Sequence, residues 1–214
     1  MKGSRFFFAI VLTALTLAAP AGAQQSTPWY EIELIVFRQP DPTGLDAELH
    51  PVDPPPPEAE QVVTLRQPQG GATLPYAMLD SGELQLGAVY QRLQDSGRYQ
   101  PLLHIGWRQP GLSSAEAASV AIPPEWQPWG NALRPPLHGL IRFQQDRFLH
   151  FAVDLRYRPE PAFDAVSFSE GTLDVEPQPT YVHQQSRRVR TGELHYLDHP
   201  ALGVLVQVRR LTDG

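Results

Sequence analysis

Proline decides where this chain can be regular. Twenty-three of its 214 residues are proline, and nine of those fall within residues 39–75, including the unbroken run Pro54 to Pro57. Proline fixes φ and lacks an N–H, so it is excluded from helix interiors and from central strands. Residues 39–75 are therefore expected to form a long polyproline-rich loop, partly disordered, a spacer more than a ligand for a partner domain. Residues 110–136 make a second proline-rich connection, which carries Trp126 and Trp129, and residues 159–179 a further loop. Regular structure is expected in the intervals between them.

Those intervals mostly alternate with period two, the mark of strands. In WYEIELIVFR, residues 29–38, Tyr30, Ile32, Leu34 and Val36 take one face and Glu31, Glu33, Ile35 and Phe37 the other. In residues 99–109, Leu103, Ile105 and Trp107 oppose His104 and Arg108. Residues 137–144 and 148–158 read as a hairpin around Gln145-Asp146. Its second arm sends Leu149, Phe151, Val153, Leu155 and Tyr157 inward and His150, Asp154 and Arg156 outward. Residues 181–190 and 203–211 complete the strands. Residues 80–97 differ: Leu86, Val89, Tyr90 and Leu93 form a helical stripe, Asp80 and Glu83 have capping-box spacing, and Gly97 is placed to end the helix. The order predicts an α+β domain, a mainly antiparallel sheet with one principal helix on one face and long proline-rich loops. On a single sheet, Glu31, Glu33, His104, Arg108, Arg142, His150, Asp154, Arg156 and Arg188 would gather on one polar face.

Lys2 and Arg5 precede an apolar run over residues 6–19 and then Pro20-Ala21-Gly22-Ala23. This is the layout of a secretory signal peptide, and the run falls short of the ~20 residues a membrane span needs. Cleavage after about Ala23 is expected, giving a periplasmic single domain, residues 24–214, with no membrane span. Without its signal the chain carries 15 arginines against 23 carboxylates, a formal charge of −8, which argues against duplex nucleic acid as a partner. No cysteine is present, so disulfides, thiolate nucleophiles and thiolate-bound metals are ruled out.

The densest set of functional groups lies near the C-terminus. Arg187, Arg188 and Arg190 are followed by Glu193, His195, Tyr196, Asp198 and His199. On a helix, His195 and His199 would share a face with Asp198 beside them, a conceivable zinc set. The spacing lacks the internal glutamate of H-E-x-x-H, and Pro200 biases His199 away from helical geometry. His195, Asp198 and His199 are thus expected to shape a turn, with a metal-dependent cell-wall hydrolase as the alternative. Neither G-x-S-x-G nor S-x-x-K occurs, and no cofactor is expected. Arginines with aromatic rings suit an acidic glycan-peptide, because the guanidinium fork matches carboxylates and rings stack on apolar ligand faces. On that ground Arg187, Arg188, Arg190, Glu193, Tyr196, Trp107 and Arg108 are the candidate ligand-binding residues. A third possibility is an interaction scaffold that docks through its proline-rich loop.

Three blocks carry a resemblance to a known family. They are WYEIELIVFR, YQPLLHIGWRQP and the closing QSRRVRTGELHYLDHPALGVLV, with the hairpin GLIRF…FLHFAVDLRY as a fourth. Together they resemble the CsiV family of exported peptidoglycan-binding proteins. The resemblance implies a non-enzymatic periplasmic protein that binds peptidoglycan. It also implies support of cell-wall synthesis and cell shape, by assisting a class A penicillin-binding protein through its outer-membrane lipoprotein activator.

Overall fold

The computed structural model describes residues 27–40, 51–67, 74–126, 135–159, 166–169, 172–175 and 179–211. The signal-like segment, Trp129 and residues 41–50 and 68–73 of the first proline-rich stretch lie outside the described residues. In chain order the elements are β1 Trp29–Arg38, β2 Val62–Thr64, β3 Ala77–Met78, α1 Gly87–Asp95, β4 Gln100–Pro110, β5 Ser119–Ile122, β6 Leu137–Gln145, β7 Leu149–Tyr157, β8 Val166–Ser169, β9 Thr172–Val175, β10 Tyr181–Val189, β11 Leu194–Asp198 and β12 Leu202–Arg210. They form two five-stranded sheets and a separate β8–β9 ribbon. The first sheet runs β11-β12-β1-β4-β3 and the second β10-β7-β6-β5-β2. Neighbours are antiparallel except β2 and β5.

The expected α+β domain on one sheet is therefore wrong: the protein is mostly β, a two-sheet sandwich with one short helix. The physical reason is cover. Ile32, Leu34 and Val36 of β1, Trp107 of β4, Val204, Val206 and Val208 of β12, and Phe143, Phe151 and Leu155 of the second sheet join one buried cluster. A nine-residue helix cannot shield two apolar sheet faces from water, so each sheet becomes the other's cover. The polar face expected on one sheet is accordingly split. Glu31, Glu33, His104 and Arg108 lie outside the first sheet, and Arg142, His150, Asp154, Arg156 and Arg188 outside the second.

Helix α1 covers part of the outer face of the first sheet. Its stripe of Val89, Tyr90 and Leu93, with Leu86, meets Ile35 and Phe37 of β1 and Leu205 of β12. It is shorter than the sequence predicts, because Asp80 and Glu83 bound a separate 3-10 turn, Ser81–Glu83, in which Glu83 accepts the Asp80 N–H at 2.9 Å. Glu33 caps the helix from the neighbouring sheet. Its carboxylate accepts the N–H groups of Gln85 and Leu86 at 2.8 and 2.7 Å and meets His104 Nε2 at 2.9 Å. Gly97 ends the element with φ +60°, a backbone state open to glycine.

The outer face of the second sheet is covered by proline-rich chain instead of a helix. Residues 51–61 lie across it as an extended strap. Pro54 and Pro57 are buried while Pro55 and Pro56 are exposed, the three-residue period of a polyproline helix. Thr180 donates to the Pro51 and Val52 carbonyls, and Arg156 Nε to the Pro55 carbonyl at 3.1 Å. Beside the strap, Trp126 packs with Ala121 and Leu140.

Candidate functional site

The sandwich has two ends, and they separate the C-terminal cluster into parts. β1 runs from Tyr30, paired with Arg210, to Arg38, paired with Leu202. β11 spans the same axis, with Leu194 opposite Gln207 and Asp198 opposite Gly203. Arg188, Arg190 and Glu193 therefore sit at the Tyr30 end, and Asp198 and His199 at the Arg38 end. A strand, not a helix, carries His195 and Asp198, so the two point to opposite faces: His195 and Leu197 are buried, Tyr196 and Asp198 exposed. No group of three or more His, Asp or Glu side chains among the described residues is placed to hold a metal ion.

Each histidine has local work. The chain crosses from the second sheet to the first between β10 and β11, and at that corner His195 Nε2 accepts the Arg190 N–H at 3.0 Å. Gly192, with φ +79°, donates to the Val208 carbonyl across the corner. At the other end His199 and Leu202 exchange backbone hydrogen bonds, closing a turn with Pro200 in its second position, where a fixed φ suits the backbone. His199 Nδ1 accepts the Ala201 N–H at 3.1 Å, and its ring stacks on the buried His183, centroids 5.0 Å apart. Asp198 Oδ1 accepts from the Tyr196 hydroxyl at 2.5 Å and from Gln39 Nε2 at 2.8 Å. Burial, and then Asp198 beside it, push the Tyr196 phenol well above its ordinary value, so that hydroxyl stays a neutral donor.

The Tyr30 end holds the candidate site. The β6–β7 loop brings Arg147 and Phe148 to the rim, β10 supplies Arg188, the sheet-switching corner supplies Arg190 and Glu193, and β12 ends there on Arg210. They surround an open recess of about 480 Å³ floored by Tyr30 and Gln145. The guanidinium carbon of Arg188 lies 3.4 Å from the Phe148 ring centroid and that of Arg147 5.3 Å from it, within cation–π range. Phe148 is nonetheless 37% exposed. Arg190 reaches Glu193 only at 3.4 Å, with side-chain exposures of 70% and 51%, a contact that water and salt readily break.

The structure brings together Arg188, Arg190 and Glu193 of the sequence candidates and disperses the rest. Arg187 donates to the Tyr196 carbonyl at 3.0 Å, tying β10 to β11. Tyr196 stacks at 6.2 Å on Phe37, on the helix-bearing side. Trp107 is fully buried and donates to Gln109. Arg108 is bound to Glu31 and Glu83 at 2.8 and 2.5 Å. Sequence reasoning missed Arg147, Phe148, Arg210 and Gln145. One signal was present: by the parity of β7, Phe148 falls in phase with His150 and Asp154, an aromatic ring out of step with the buried row.

Fold and recess together define the class: a mostly β sandwich that presents arginines around the Phe148 ring at one end, suited to an anionic ligand. The chain belongs to the CsiV family of peptidoglycan-binding proteins, whose family model matches residues 7–211. No curated protein and no solved structure matches it.

Proposed function

We propose that this protein is an exported, non-enzymatic peptidoglycan-binding protein of the periplasm, and that its arginine recess holds the polymer. The observation that carries the assignment to this site is the recess itself: Arg188 fixed over Phe148, with Arg147, Arg190 and Arg210 around the same opening. A guanidinium held against a ring keeps its N–H edge outward, ready for a carboxylate. Family membership supports the ligand class. The signal-like N-terminus supports export, and no helix among the described residues is long and apolar enough to cross a membrane. The further role is support of cell-wall synthesis and cell shape, by assisting a class A penicillin-binding protein through its outer-membrane lipoprotein activator.

Co-sedimentation with purified sacculi tests the binding. The protein pellets with sacculi at moderate salt; a protein that stays in the supernatant overturns the proposal. Prolonged incubation leaves the sacculi undigested, and release of soluble muropeptides would instead make the protein a hydrolase. Cross-linking in cells tests the partner, with the lipoprotein activator as the expected adduct.

A further inference from the structure

We infer that the arginine recess recognises the free carboxylates of peptidoglycan's peptide stems and not its sugar rings. The inference rests on the peptidoglycan-binding function proposed above and specifies which part of the polymer the site takes. Four guanidinium groups, those of Arg147, Arg188, Arg190 and Arg210, share the recess with one carboxylate, Glu193, on a chain whose formal charge is −6. Such a local excess of positive charge on an acidic protein selects for anions. Where stems are attached, the glycan has no free acid, because the carboxyl group of each muramic acid is consumed in the amide bond to its stem. The free acids of the polymer then lie on the peptide.

The aromatic geometry points the same way. Binding a sugar by stacking requires an open ring face. Of the two rings at this recess, Tyr30 is buried and Phe148 carries the Arg188 guanidinium over its face at 3.4 Å. Phe148 thus serves as a support for an arginine rather than as a sugar platform. The stacked arginine keeps its planar edge free for bidentate contact with a carboxylate, in an orientation already ordered before the ligand arrives.

The test uses the full mature chain and three probes: intact sacculi, sacculi whose carboxyl groups have been converted to amides, and soluble competitors. Amidation lowers retention about tenfold or more, the scale of one charge-assisted contact. Free stem tripeptide releases the protein from intact sacculi, whereas a neutral N-acetylglucosamine hexamer does not. Arg188→Ala with Arg190→Ala loses a similar factor on intact sacculi and nothing further on amidated ones. Arg188→Lys, which keeps the charge and loses the fork, falls between. Equal retention on intact and amidated sacculi, or release by the hexamer, overturns the carboxylate assignment and leaves peptidoglycan binding standing. Failure to pellet with intact sacculi removes both. If the double variant does not fold, as judged by circular dichroism, the amidation and competition arms still decide.

Discussion

At the scale of single residues, Glu33 joins more of the molecule than any other ionisable side chain described above. It is 1% exposed and receives two helix-end N–H groups, His104 and, at 3.5 Å, Arg209. Burial alone would raise its carboxyl group; the hydrogen bonds from His104, Gln85 and Leu86 outweigh that and hold it below its ordinary 4.5. A carboxyl depressed in the folded state contributes stability that is fully present above the unfolded value and is lost as pH falls through the folded one. Glu33→Gln is expected to cost about 2–4 kcal/mol at neutral pH, because donors and a cation lose a buried charge. In urea titrations the gap from wild type should narrow as pH drops below 4.5; a pH-independent gap would disprove the linkage. A glutamate that shares one face of an alternating strand with Ile35 and Phe37 is visible in the sequence. That it caps a helix more than 50 positions away is not, since nothing local to β1 encodes the arrival of Gln85.

At the scale of elements, two close approaches govern the outer layers. Gly203 pairs with Phe37 across β12 and β1, and a Cβ there would lie 2.1 Å from the ring. Gly203→Ala should therefore destabilise by about 1–3 kcal/mol. Adding Phe37→Leu should restore part of the loss, and a purely additive double-mutant cycle would rule out the clash as its cause. The proline strap is the second case. Arg156 binds both the Pro55 carbonyl and Asp154, so Arg156→Met is expected to loosen residues 51–61. The readout is amide exchange at Thr180, whose N–H is held by the Pro51 carbonyl; unchanged protection would mean that buried Pro54 and Pro57 suffice. The prolines announced that this stretch is neither helix nor strand. They also carried the period of three that lets one edge of a polyproline helix dock, but a docking surface had to exist first, and Arg156 and Thr180 come from chain 100 or more residues away.

At the scale of the whole molecule, one buried cluster draws on both sheets, so the sandwich should unfold as a unit. Calorimetry is expected to give one transition with matching calorimetric and van't Hoff enthalpies; two resolved transitions would mean that the sheets are separately stable. Arg188→Ala with Arg190→Ala should leave that transition almost unmoved, both side chains being exposed, while weakening retention on sacculi. Residue order alone determined β1, β4, β6, β7, β10 and β12, the helical stripe, the inward and outward parity of β1, β4 and β7, and the family resemblance, because these depend on neighbours within a few positions; β2, β5, β8 and β9, inside stretches read as loop, and β11, read as a turn, it did not foretell. Tertiary structure alone decided that the strands divide between two sheets, that proline-rich chain covers one of them, and that the C-terminal cluster splits between opposite ends of the sandwich. It also decided that Arg188 and Arg190 find their partners in Arg147, Phe148 and Arg210. Those outcomes depend on which apolar face covers which, and that choice is made by the burial of the whole chain at once.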